Sequence, residues 1–150
     1  MKLAEALSLR KDLQKRIDQV KGRLRNNVKV QEGESPLEDP QALRQELDGC
    51  LTELEEMIFR INKTNMATLV DGETLTALMA RKEVMTKRIG VMREVFDEAS
   101  TLGDRYSRTE IKTVCAIDVN ALSKDIDRQS KALRELDYKI QAANFSTELL

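Results

Sequence analysis

Apolar side chains recur at intervals of three and four residues along most of the chain, the spacing of one face of an α-helix. The most regular stripe comprises Leu43, Leu47, Leu51, Leu54, Ile58 and Ile61. Strands bury alternate residues instead, so these segments do not fit a sandwich or barrel. The pattern predicts an all-α protein, an antiparallel four-helix bundle or coiled coil of long helices.

Helix-capping residues divide the chain into four segments. The first helix is expected over residues 3–27, and the second begins at Pro40 after Asp39, a favourable N-cap. Residues 62–72 form a predicted midpoint turn, after which Thr74 and Asp118 are placed to cap the third and fourth helices. Residues 144–150 are expected to be a tail. At 150 residues the chain suits one domain, residues 1–150, with similarly built halves of about 1–70 and 71–150.

Two short segments between helices favour β structure. Residues 28–31 and 111–117 are rich in β-branched side chains. We expect them to pair into a minor two-stranded ribbon, either within one chain or between chains.

Charge is distributed unequally between the first two predicted helices. Residues 1–30 hold nine Lys or Arg against three Asp or Glu, and residues 31–61 hold two against nine. A basic helix followed by an acidic one predicts a hairpin whose arms attract each other, within the chain or across subunits. This pairing competes with phosphate binding by the basic helix, and the formal net charge of −1 adds no long-range attraction. We therefore expect no specific nucleic-acid partner.

The residue types required by common catalytic sites are scarce. The chain has no His, no Gly-rich phosphate loop and only two Cys, 65 positions apart and without metal-ligand spacing. We expect a non-enzymatic protein without catalytic residues, cofactor or metal. Cys50 and Cys115 are both expected to be packed, reduced thiols in a cytoplasmic protein, since no secretory signal precedes the first helix.

Two groups of residues are candidate binding surfaces. Arg105, Tyr106 and Arg108, with Asn62 and Asn65, offer donors for phosphate or another small ligand, although turn chemistry explains these residues better. The third helix carries Val84, Val91, Val95 and Phe96 beside its inward stripe, which predicts a second buried face or a contact between subunits. The second possibility indicates a homo-oligomer.

Five stretches of sequence resemble the septicolysin-like family of small bacterial helical proteins. They are KLAEAL (2–7), NNVKVQEGE (26–34), INKTN (61–65), DRYSRTEIK (104–112) and TELL (147–150). The resemblance covers essentially the full length, with Phe145 where relatives carry Trp. The family name implies an oxygen-labile cytolysin, and on that alternative the apolar face between Val84 and Phe96 would meet a membrane. The residues themselves favour a helical assembly or interaction protein that forms a homo-oligomer.

Overall fold

The computed structural model describes residues 1–101 and 111–150. It is an all-α protein of the helical-bundle class, as the apolar spacing predicted. Its elements are α1 (Leu3–Asn27), α2 (Pro40–Ala67), β1 (Leu69–Val70), β2 (Glu73–Thr74), α3 (Leu75–Ser100) and α4 (Val119–Ser146). The contacts of the described chain divide it into two compact units, Met1–Thr74 with Ala142–Leu150, and Leu75–Gln141. The expectation of a single domain stays a prediction.

The first unit is built on the antiparallel hairpin of α1 and α2, whose backbones approach each other closely. Asp39 starts α2 as predicted: its carboxylate accepts a hydrogen bond of 3.0 Å from the backbone N–H of Gln41, and Pro40 occupies the first helical position. Buried side chains from both helices form the core of the hairpin: Leu3, Ala6, Val20, Leu43, Cys50 and Ile61. Leu51, expected inside, is exposed, and its neighbour Cys50 is buried instead.

Buried Asn27 shapes the connection between α1 and α2. Its side-chain amide donates to the carbonyl of Arg23 at 2.8 Å, and its side-chain oxygen accepts from the backbone N–H of Glu38 at 3.0 Å. These two bonds satisfy a polar side chain that is 8% exposed, and they tie the end of α1 to the residues just before α2.

The β structure lies elsewhere than predicted. Residues 28–31 and 111–117 form no strand, so the expected ribbon between them is wrong. The observed sheet is a two-residue hairpin in which Leu69 pairs with Thr74 and Val70 with Glu73. Asp71 and Gly72 connect them at φ 53° and 85°, the left-handed geometry of a type I′ turn. The preceding turn is also shorter than expected, because α2 continues to Ala67.

The second unit contains α3 and most of α4, which run antiparallel. Asp118 caps α4 as predicted, accepting from the backbone N–H of Ala121 at 3.0 Å. The backbones of α3 and α4 approach each other closely at few points. Ion pairs bridge the helices, with Lys82 to Asp137 at 2.5 Å and Arg88 to Asp125 at 3.5 Å. Lys82 therefore faces a partner on α4.

Candidate functional site

The opposite charges of α1 and α2 meet within the chain, as the charge distribution predicted. Arg16 lies 3.2 Å from Glu46, and Arg23 reaches Glu46 at 3.2 Å and Glu38 at 2.5 Å. Hydrogen bonding to Glu38 raises the pKa of the Arg23 guanidinium, and the same bond holds the pKa of Glu38 below its ordinary value. Two of the basic residues of α1 are therefore engaged by carboxylates of the same chain.

A second set of contacts ties the segment after α4 into the first unit. Leu3 donates its backbone N–H to the carbonyl of Thr147 at 2.9 Å, and Leu149 donates to the carbonyl of Met1 at 2.9 Å. Lys2 adds an ion pair to Glu148 at 2.6 Å, which lowers the pKa of that carboxyl. Residues 144–150 are thus not the free tail expected from sequence, because α4 continues to Ser146 and the last four residues are hydrogen-bonded.

The candidate ligand residues are not brought together in the described part of the chain. Asn62 and Asn65 both lie in the last turns of α2, where Asn62 is exposed and Asn65 is buried. Arg105, Tyr106 and Arg108 lie outside the described residues. The ligand site assembled from these five residues stays a prediction.

The candidate subunit contact is an exposed apolar face. Val84, Val91 and Val95 are 67%, 45% and 39% exposed. Their spacings of seven and four place them on one line along α3. Phe96 is half-buried and lies seven residues after buried Ile89, so it belongs to the inward stripe. We call Val84, Val91 and Val95 the valine face.

Two grooves between paired helices were not found by sequence reasoning. One lies between α1 and α2, has a volume of about 410 Å³, and combines an apolar floor of Leu9, Leu13 and Met57 with charged residues of both signs. The other, of about 370 Å³, lies between α3 and α4. Either groove depends on the register of two helices, which the heptad pattern of each helix alone does not reveal.

The two thiols differ in environment. Cys50 is buried, as expected, whereas Cys115 is exposed and its Sγ lies 3.2 Å from the carbonyl oxygen of Ile117. The expectation that both thiols are packed is therefore wrong for Cys115, since the strand proposed to bury it does not form. Among residues 1–101 and 111–150, no group of three or more Cys, Asp or Glu is placed to hold a metal ion.

Comparison with known proteins identifies similar sequences and a similar fold, but these relatives have no known activity. The family model described as "Family of unknown function (DUF6847)" matches residues 10–149. The crystal structure of a functionally unknown conserved protein from Corynebacterium diphtheriae is similar to the chain, with 36% identity and a TM-score of 0.91 over 100% of this chain and 99% of that one. A comparison with curated proteins gives no match.

These findings overturn the resemblance to septicolysin-like proteins. The matching family model carries no such description, and neither does the similar crystal structure. In the described part of the chain, none of the helices has both the length and the apolar content to span a bilayer. The cytolysin function rested on the resemblance to septicolysin-like proteins, so it is withdrawn together with that resemblance.

Proposed function

Because the chain belongs to the Family of unknown function (DUF6847), no activity can be taken from relatives, and we propose from its own surface that it is a non-enzymatic assembly module. On this proposal two copies pair through α3. The observation that carries it is the valine face.

The valine face has the spacing of a helix–helix contact. Val84, Val91 and Val95 occupy positions d, d and a of a heptad along α3, the positions that meet a partner helix, and Arg88 occupies the a position between Val84 and Val91. The exposure of three aligned valines, from 39% to 67% of each residue, is unfavourable in water, and a facing helix would remove this surface from solvent.

The charges at the two ends of the same seam favour an antiparallel pair. Arg81 precedes the valine face by three residues and Glu98 follows it by three. In an antiparallel pair of identical helices, Arg81 of one copy lies level with Glu98 of the other, and Val84 lies level with Val95. A parallel pair would instead place like charges side by side at both ends.

Two further features support the proposed role and its setting. The lack of His in the whole sequence removes the general base that nucleophilic Ser and Cys sites most often use. Both cysteines are free thiols, a state suited to a reducing compartment, and we propose a cytoplasmic location on that basis. We propose no nucleic-acid partner, because Arg16 and Arg23 are engaged by Glu38 and Glu46.

The test is the mass in solution of the wild type and of two double variants, measured by light scattering over a range of concentrations. Val84→Glu with Val91→Glu places charge on the valine face and should give a monomer, while the wild type gives a dimer. The control, Val28→Glu with Val30→Glu, alters two exposed valines outside the helices and should remain dimeric. A monomeric wild type, or equal masses for both variants, would overturn the proposal.

A further inference from the structure

The groove between α3 and α4 in the second unit has an unusual lining. It is formed by Thr86, Ile89, Gly90, Arg93, Ser130, Leu133 and Arg134. The lining thus contains two guanidinium groups and two hydroxyls above apolar side chains, and no carboxylate. Such a composition provides hydrogen-bond donors for an anion without an acidic group to repel it.

Among the residues that the structure describes, both arginines of this groove lack a counter-ion. Elsewhere in the same unit, Lys82 and Arg88 each pair with an aspartate of α4. Arg93 and Arg134 make no ion pair with any residue of the described chain, although acidic residues lie near them in sequence. Two unpaired guanidiniums, one from each helix, therefore border the same space.

The hydroxyl of Ser130, which also lines the groove, has an unusual environment. A serine or threonine within a helix commonly donates to the carbonyl four residues earlier, as Thr86 of this groove does to Lys82 at 2.8 Å. The Ser130 oxygen is screened from solvent and has no hydrogen-bond partner. Because this oxygen is screened from solvent, it meets an acceptor in the groove only after rotation about the Cα–Cβ bond, and that rotation would give it the partner that buried polar atoms almost always have.

The backbone around these groups leaves room for a ligand. A Cβ placed on Gly90 would meet no atom within 4 Å, so this part of α3 is open rather than packed against a neighbour. Buried Ile89 and half-buried Leu133 provide an apolar floor. Because α3 and α4 approach closely at few points, the space of about 370 Å³ persists between them.

We infer that the groove between α3 and α4 binds a phosphate monoester with a small apolar substituent. Arg93 and Arg134 donate to the phosphoryl oxygens, and Ser130 Oγ, once rotated toward the groove, donates to one of them. The apolar substituent packs on Ile89 and Leu133. A phosphate fits this set better than a neutral ligand, since planar guanidiniums bind its oxygens in pairs while a neutral ligand would leave both charges unmatched.

Titration calorimetry with three probes tests the assignment: phenyl phosphate, inorganic phosphate and phenol. We expect phenyl phosphate to bind at millimolar or lower concentration, inorganic phosphate to bind more weakly, and phenol not to bind. Arg93→Gln with Arg134→Gln should weaken phenyl phosphate binding by about tenfold or more, because two charge-assisted contacts are lost. Ser130→Ala should weaken it less.

The matched control is Lys87→Gln with Lys131→Gln, which removes the same charge from exposed positions of α3 and α4 outside the groove. This variant should bind phenyl phosphate like the wild type. Equal weakening in both double variants would mean that overall charge alone attracts the anion, and absence of binding to the wild type would also overturn the inference. The mass in solution is measured alongside, so the outcome is independent of whether the valine face forms a dimer.

Discussion

The backbone N–H of Leu150 donates to the side-chain oxygen of Thr64 across 3.0 Å, joining residues 86 positions apart in the sequence. Thr64 is completely buried, and its hydroxyl in turn donates to the carbonyl of Arg60 at 2.8 Å. The carbonyl of Leu150 accepts from the side chain of Arg60 at 3.0 Å. One turn of α2 thereby holds both polar groups of the Leu150 backbone.

Thr64→Val should therefore destabilise the protein. The substitution keeps the shape of the side chain, but it removes two hydrogen bonds and leaves the N–H of Leu150 without its acceptor. We expect a loss of about 1–3 kcal/mol in the free energy of unfolding, measured by urea denaturation. Thr52→Val is the control: Thr52 is exposed and donates only to the carbonyl of Asp48 in the same helix. Equal losses in the two variants would show that the contact with Leu150 contributes nothing.

The ion pair between Arg23 and Glu38 predicts a particular response to acid. The pKa of Glu38 is lower in the folded protein than its ordinary value of 4.5, so the pair stabilises the protein above that pH. This contribution is lost as the pH falls through the depressed pKa, where the folded carboxylate takes up its proton.

Arg23→Gln should thus unfold at a lower temperature near neutral pH, and its melting temperature should fall less steeply below pH 4.5 than that of the wild type. Arg25→Gln, which removes the same charge from an exposed site on α1, should follow the wild-type profile. Asp137 and Glu148 also have lowered pKa values and contribute acid sensitivity to every variant. Parallel profiles for Arg23→Gln and Arg25→Gln would contradict the prediction.

Substitution by alanine should change the free energy of unfolding in opposite directions at two glycines. Gly72 has a φ of 85° in the β-hairpin turn, where an alanine is strained, and Gly72→Ala should cost about 1 kcal/mol. Gly49 lies within α2, and a Cβ there meets no atom within 4 Å, so Gly49→Ala should stabilise by about 0.5–1 kcal/mol. Urea denaturation measures both. A neutral Gly72→Ala would mean that the turn relaxes without cost.

Disulfide cross-linking can test the orientation proposed for paired α3 helices. In a background with Cys50→Ala and Cys115→Ser, the double variant Val84→Cys with Val95→Cys should oxidise to a covalent dimer, seen by non-reducing electrophoresis. In an antiparallel pair the two copies of Val84 lie about 16 Å apart along the axis, beyond disulfide range, so Val84→Cys alone should not cross-link. Efficient cross-linking by Val84→Cys alone would indicate a parallel pair instead.

The exposed thiol provides a simple check of the structure around residues 111–117. A thiol reagent should modify Cys115 in the native protein, and it should reach buried Cys50 only in denaturant. Cys115→Ser should abolish the native reaction. Native reactivity of two thiols would show that Cys50 is accessible through local opening of the hairpin formed by α1 and α2.

Helical spacing was sufficient to predict the fold class because each apolar stripe must be buried for a helix of this length to be stable. Leu43 and Ile61 both lie on the predicted stripe of α2, and both are buried. The attraction between α1 and α2 was also predictable, since their opposite charges are separated by one short loop. The register of the pair, and hence the choice of Glu38 and Glu46 as partners of Arg23, was not.

The β structure shows why local propensity failed. Residues 28–31 and 111–117 have β-prone side chains, but a strand forms only where a second strand lies beside it. Residues 69–74 contain few β-branched side chains. The turn at Asp71-Gly72 nevertheless reverses the chain, and this places Glu73 and Thr74 beside Leu69 and Val70. The groove with Arg93, Ser130 and Arg134 was missed for a related reason. It depends on which residues of α3 and α4 face each other, and each helix alone gives no sign of that.

The division of the first unit between residues 1–74 and 142–150 has a consequence for synthesis on the ribosome. Translation proceeds from the N-terminus, so α1 and α2 emerge long before the residues that hydrogen-bond to Leu3 and Thr64. The whole of the second unit must be made in the interval. A nascent chain therefore carries an incomplete first unit until translation has passed residue 142, and a ribosome stalled before that point displays α1 and α2 without the segment that joins them.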